Sequence, residues 1–160
     1  MVGGIIIYFF VLKVFFNEFQ NLQLFLFLIL LIGIFSDLKL IKSANKRLVY
    51  QLIIIFFCVF INKITILNTG VRYLDIILTN SIFNYIFVTF CILIILNGTN
   101  FTDGLNTLVI GYYLIILFFI YKLNLFNFLD IDPSKIILFG SLFLFIFFIN
   151  LFNKMYLGDS

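Results

Sequence analysis

An all-α, polytopic transmembrane helix bundle of about six spans, one membrane domain over residues 1–160, is the fold class this sequence predicts. Three observations predict it. Hydrophobic residues make up 64% of the chain and charged ones 11%, against ~25% charged and under ~50% apolar in soluble domains. The apolar content is gathered into six runs rather than spread along the chain. These runs do not alternate apolar with polar residues as barrel strands must, and 25 Phe with one Pro and no Trp suit a helical bundle.

The runs are roughly 4–16, 22–35, 49–61, 82–96, 108–121 and 136–152. Most are shorter than the ~20 residues that cross ~30 Å of hydrocarbon. Asn, Gln, Ser, Thr or Tyr at their edges would carry each helix into the headgroups, so all six are expected to span. Lys13 is expected to snorkel outward from the end of the first. Between spans three and four, the segment 64–77 with Thr69-Gly70 near its middle predicts a short periplasmic hairpin. Asp130-Ile131-Asp132-Pro133 predicts a turn that starts span six. No internal repeat or low-complexity linker divides the chain. Residues 1–16 lack the basic region and small-residue cleavage site of a signal peptide.

Composition also excludes chemistry. There is no His, which removes the commonest general base and transition-metal ligand. Any metal would be held by oxygens, so Mg²⁺ is the natural candidate. Cys58 and Cys91 lie inside apolar runs and read as small buried hydrophobes. A net charge of +3, dispersed along the chain, does not fit nucleic acid.

The polar chemistry sits at the ends of runs. Asn97-Gly98-Thr99-Asn100-Phe101-Thr102-Asp103-Gly104-Leu105-Asn106-Thr107-Leu108 separates two apolar blocks. A carboxylate and several amides there require a bilayer edge or a polar cavity. Asp103 is open to two readings: an N-cap for a helix starting near Leu105, or one member of a helical arc. On that arc Asn100, Asp103 and Asn106, three residues apart, present amide and carboxylate to a ligand. Gly98 and Gly104 would let the backbone approach that ligand closely. Asn97-Gly98-Thr99 and Asn100-Phe101-Thr102 also match the glycosylation pattern, read as chance matches on a cytoplasmic face.

Gly33-Ile34-Phe35-Ser36-Asp37 and Tyr156-Leu157-Gly158-Asp159 likewise follow apolar runs. Beside Asp37 stand Lys39, Lys42, Lys46 and Arg47, either a topology signal drawn to anionic lipid or a landing site for phosphates. With six crossings, the ends of spans two, four and six emerge on one side, placing Asp37, the 97–106 run and Asp159 on one face. Lys39, Lys42, Lys46, Arg47 and Lys154 on that face, against Lys63, Arg72, Lys122 and Lys135 opposite, make it cytoplasmic.

These residues resemble the polyprenyl-phosphate N-acetylhexosamine-1-phosphate transferases. The 97–108 run looks like that family's Asn-x-x-Asn-x-x-Asp-Gly-x-(Asp/Asn)-Gly-Leu motif. Gly33 to Asp37, then Lys46-Arg47-Leu48 and Gln51, is similar to its Gly-x-x-Asp-Asp segment and the basic helix that follows. Met155-Tyr156-Leu157-Gly158-Asp159-Ser160 looks like its Phe-x-Gly-Asp-x-Gly motif, and Gly3-Gly4-Ile5 resembles the end of its N-terminal Pro-Arg-x-Gly-Gly element. Three features depart from the family. Ser36 stands in place of the first Asp of the pair, and Thr107 replaces a Gly. The loop with the family's His cluster and its first transmembrane helix have no counterpart, so the chain is expected to be the central part of a larger enzyme.

The resemblance implies transfer of HexNAc-1-phosphate from a UDP-N-acetylhexosamine to polyprenyl (undecaprenyl) phosphate, releasing UMP, in cell-envelope polysaccharide or lipid-linked sugar synthesis. It implies Mg²⁺, a bilayer, and an active site on the cytoplasmic face of the inner membrane, with a homodimer as a compatible assembly. Asp37, Asp103 and Asp159 are then the catalytic and metal-ligating residues, and Asn100, Asn106, Lys46 and Arg47 bind substrate. The alternative is a small transporter or ion-conducting subunit using its carboxylates. Such a protein is expected to carry them in mid-helix.

Overall fold

The computed structural model describes residues 2–15, 20–102, 107–125 and 131–152; at 2, 3 and 100–102 it describes the backbone alone. Among these residues every regular element is a helix. In order they are α1 (Val2–Val14), α2 (Gln20–Asp37), α3 (Ala44–Ile61), α4 (Arg72–Leu78), α5 (Ser81–Thr102), α6 (Leu108–Lys122) and α7 (Pro133–Leu151). Six long helices thus form where six apolar runs were read, and α4 is a short insertion.

Local chemistry sets their ends. At the start of α7, Asp132 accepts a hydrogen bond from the Ser134 N–H at 2.9 Å, with Pro133 in the first turn. That much of the expected turn is observed; Asp130 lies outside the described residues. Asn80 caps α5 by accepting from the Ile82 N–H at 3.0 Å. Helix α2 stops at Asp37 because Lys39 turns left-handed (φ 58°), so that Lys39 N–H reaches Ser36 C=O and Leu40 N–H reaches Phe35 C=O, both at 2.9 Å. Lys63 (φ 51°) ends α3 the same way, with Ile64 N–H on Val59 C=O at 3.0 Å. Glycine would be less strained in both places, but a cation beside the last carbonyls is favoured by the helix dipole.

Side-chain pairs fix the helix directions. Arg47, near the start of α3, reaches Ser36 at the end of α2. At the other end of α3, Phe60 meets Tyr85 near the start of α5, ring centroids 5.8 Å apart. Ile55 and Val59 of α3 pack with Val88 and Leu93 of α5 between these points. In α6 and α7, Tyr113 lies against Phe143 at 6.1 Å, while Ile110 packs with Phe143 and Ile146. Helix α1 and the residue after it bridge the two groups, with Tyr8 on Phe27 of α2, and Phe10 and the adjoining Phe15 on Phe139 of α7. Neighbouring long helices therefore run antiparallel.

The bundle is apolar outside and partly polar inside. Phe9, Phe57, Phe90, Phe118, Phe145 and Phe148 are each more than half exposed, whereas Gln51, Asn84, Thr89 and Asn150 are buried. Such a surface is an aggregation liability in water and an ordinary one in lipid. Polar side chains on the apolar helices are satisfied by bonding one turn back: Asn62 to Cys58 C=O, Thr89 to Tyr85 C=O, Ser141 to Leu138 C=O. The protein is an integral membrane helix bundle. Among the described residues, four helices suffice by length and hydropathy to cross unaided: α2, α3, α5 and α7. The 13 residues of α1 and 15 of α6 reach only about 20 and 23 Å at ~1.5 Å per residue, so crossing at those positions needs their flanking segments.

The hairpin expected over 64–77 takes another form. Residues 64–71 are non-helical and the returning limb is α4, not a paired strand. Asn84, 4% exposed in α5, explains this: it donates to Ile66 C=O (2.8 Å) and Leu78 C=O (2.9 Å) and accepts from Ile66 N–H (2.9 Å). These three bonds satisfy the limb's backbone in place of a strand partner. Asp75 closes the turn by accepting from the Thr69 N–H at 2.7 Å and hydroxyl at 2.6 Å, which hold its carboxyl below the usual carboxylate range. Gly70, at φ 77°, supplies the left-handed residue there.

Candidate active site

The buried stripe of α3 is the natural starting point. Val59, Ile55, Gln51 and Arg47 recur at intervals of four and so share one face of the helix. Val59 and Ile55 are sealed in the apolar core; Gln51 is equally sealed at 1% exposed, and Arg47 is half-buried. The stripe turns from hydrocarbon to amide to guanidinium as it nears the end of the bundle. At that end Arg47 Nη1 donates to Ser36 Oγ at 3.2 Å. Asp37, half-buried, is the last residue of α2. Gln51 Oε1 is buried and has no hydrogen-bond partner among the described residues.

Helix α5 returns to this same end, because its start packs beside the end of α3. It runs six residues past the apolar block that ended at Leu96, so the polar stretch 97–102 is helix rather than loop. Asn97 donates to Leu93 C=O (2.9 Å) and Thr99 to Leu96 C=O (2.8 Å), which lets these polar residues continue the helix. Tyr113 of α6 lies near Thr99. Helix α6 begins at Leu108 with Thr107 in the N-cap position, three residues later than the start expected near Leu105. Thr107, which replaces a Gly of the motif it resembles, is left-handed at φ 66°. Its N–H donates to Asn150 Oδ1 in the last turn of α7 at 3.0 Å.

These contacts gather the C-terminal ends of α2, α5 and α7 at one end of the bundle, as six alternating crossings require. Asp37, Arg47 and the exposed Lys46 stand there, and so does the backbone of Asn100. The side chain of Asn100, and Asp103, Asn106 and Asp159 altogether, lie outside the described residues. Among the described residues no group of three potential metal ligands occurs. Asp37 is the one carboxylate that the described residues bring to this end; Asp75 and Asp132 belong to the other, where α3 gives way to α4 and α7 begins.

Two residues here were not singled out from sequence as site residues: Asn150 and Tyr113. The available signal for Asn150 was an amide inside an apolar run, which in a membrane helix marks an inward face. No such signal marked Tyr113, since Tyr is at home at any membrane interface.

No curated protein and no solved structure matches the chain. The family model described as glycosyl transferase family 4 matches residues 19–160, which takes in all three acidic motifs and α2 to α7. The chain therefore belongs to glycosyl transferase family 4, the membrane transferases that move hexosamine-1-phosphate onto polyprenyl phosphate.

Proposed function

We propose that this protein transfers HexNAc-1-phosphate from a UDP-N-acetylhexosamine to a polyprenyl phosphate and releases UMP. The reaction is placed at the bundle end carrying Asp37, Arg47 and the 97–106 run, on the cytoplasmic face of the inner membrane. One observation supports it beyond family membership: the helix ends leading into the acidic motifs meet where the buried stripe of α3 becomes polar. A transporter would hold its carboxylates in mid-helix, whereas Asp37 ends α2.

In this reaction an oxygen of the polyprenyl phosphate attacks the β-phosphorus of the UDP-sugar. A new P–O bond forms, the bond from β-phosphorus to the bridging oxygen breaks, and UMP departs with the electron pair. Catalysis of such transfers is mostly positioning and charge neutralisation. Arg47, oriented by Ser36, offers a planar fork to phosphate oxygens, and Lys46 adds a point charge. Asn100 supports the polar face and Asn106 lies nearer the nucleotide. An acid at position 36 is dispensable, because a phosphate monoester with a second pKa near ~6 is already largely dianionic at neutral pH.

The donor chemistry fits a hard cation: the chain has no His, and its site residues offer carboxylate oxygens. Asp159, Asp37 and Asp103 would hold Mg²⁺, which neutralises charge on the pyrophosphate oxygens. The test is calorimetric binding of UDP-GlcNAc with and without Mg²⁺, followed by UMP release on adding undecaprenyl phosphate. Mg²⁺-dependent binding that disappears in Asp103→Ala is expected. Binding that ignores both Mg²⁺ and Asp103→Ala would overturn the proposal.

A further inference from the structure

Thr107 holds φ 66° and ψ −12°. For a β-branched residue this left-handed conformation is unfavourable, and it persists only where the surroundings impose it. Here the surroundings are specific. The Thr107 C=O accepts the Gly111 N–H at 2.8 Å in the first turn of α6, and its N–H is taken by Asn150 Oδ1 at 3.0 Å. Two and three residues on, Val109 and Ile110 are buried, with Ile110 packed against Phe143 and Ile146 of α7.

Asn150 extends that α7 face. Phe143, Ile146 and Asn150 are spaced three and four apart, and Asn150 is 3% exposed. An amide sealed this deeply is costly unless it is bonded. Its carbonyl serves a backbone N–H 43 residues away, immediately after the polar run. One atom therefore ties the exit of the 97–106 run to the last turn of the helix that leads to Asp159.

We propose that Asn150 is a positioning residue for the transfer site. Through Thr107 it locks a strained turn and so fixes the start of α6, which follows the polar run in sequence, relative to the end of α7. The role in transfer rests on the proposed reaction; the lock itself does not.

Two readouts separate them: hydrogen exchange of the peptide containing the Thr107 amide, and UMP release from UDP-GlcNAc and undecaprenyl phosphate, both on the full chain in micelles. Asn150→Leu removes the acceptor at similar size, and Thr107→Gly removes the strain. Asn150→Leu is expected to speed exchange at Thr107 by at least about tenfold and to lower kcat by about tenfold with KM for UDP-GlcNAc little changed. In the Thr107→Gly background the loss in kcat is expected to shrink to about twofold, since a turn that glycine adopts freely needs no lock. Unchanged exchange, or equal losses in both backgrounds, overturns the proposal. If the parent protein releases no UMP, the proposed reaction fails and exchange alone decides the lock. If Asn150→Leu does not fold, Thr107→Gly decides it: a held or raised melting temperature supports the strained turn, and a drop beyond about 5 °C refutes it.

Discussion

Gln51→Leu is the substitution on which structure and function are expected to part. Gln51 is 1% exposed, and its Oε1 is buried with no hydrogen-bond partner among the described residues. A buried acceptor left unmet costs about 1–3 kcal/mol, while an apolar side chain of similar size carries no such penalty. Its neighbours along the stripe are Ile55 on one side and Arg47 on the other, so leucine would extend an existing apolar contact. The variant should gain about 1–3 kcal/mol, or roughly 2–12 °C in melting temperature at ~2–4 °C per kcal/mol for a chain near this size. A polar atom kept at that cost one helical turn from Arg47 is expected to serve the proposed reaction, so UMP release should fall by at least about tenfold. Thermal unfolding in detergent and UMP release on the same preparation measure both effects. A destabilised Gln51→Leu would refute the packing argument, and a stabilised, fully active one would refute the functional half.

Three further expectations follow from particular contacts. On the proposed reaction, Asp159→Asn should damage UMP release far more than Ser36→Ala, because metal neutralisation would outweigh deprotonation of an acceptor already dianionic; comparable losses would contradict this. Asn84→Leu should cost about 3 kcal/mol, near ~1 kcal/mol for each of its three bonds to the limb around Ile66 and Leu78; an unchanged melting temperature would show the limb to be held otherwise. The Thr69 hydroxyl and N–H depress the folded carboxyl of Asp75, so their contribution is present above the ordinary carboxylate pKa of ~3.9 and is lost as pH falls through the lower folded value. Proteolysis of the 64–78 segment should therefore rise as pH falls below the ordinary carboxylate range, and Thr69→Val should flatten that rise.

Much of this arrangement was legible before any coordinates. Six apolar runs gave six long helices, and counting crossings placed the ends of spans two, four and six together; Arg47–Ser36 and Thr107–Asn150 bring the ends of α2 and α7 to that side, and α5 returns to it antiparallel to α3. Helix α5 continues past its apolar run, as the polar residues at the run's edge predicted, because Asn97 and Thr99 bond one turn back. Hydropathy missed that the limb after α3 would be held by a side chain: Asn84 meets Ile66 eighteen residues away, and no local pattern announces such a partner.

The reason lies in the solvent. In water, apolar spacing reveals which face of a helix is buried; in lipid both faces are apolar, so Phe57 and Val59 look equally suited to the core although one is half exposed and the other sealed. What distinguishes the inner face here is polarity within the apolar helices. Gln51, Asn84, Thr89 and Asn150 are all buried, and each lies inside or at the edge of an apolar run. Such residues are the inward markers a membrane sequence offers. Two of them, Gln51 and Asn150, lie at the end of the bundle where α2, α5 and α7 meet, while Asn84 satisfies the opposite loop. Among the described residues, Thr89 sits in mid-helix bonded to Tyr85 C=O, while the buried amides lie toward the two ends of the bundle, structural at one and, on the proposed reaction, catalytic at the other.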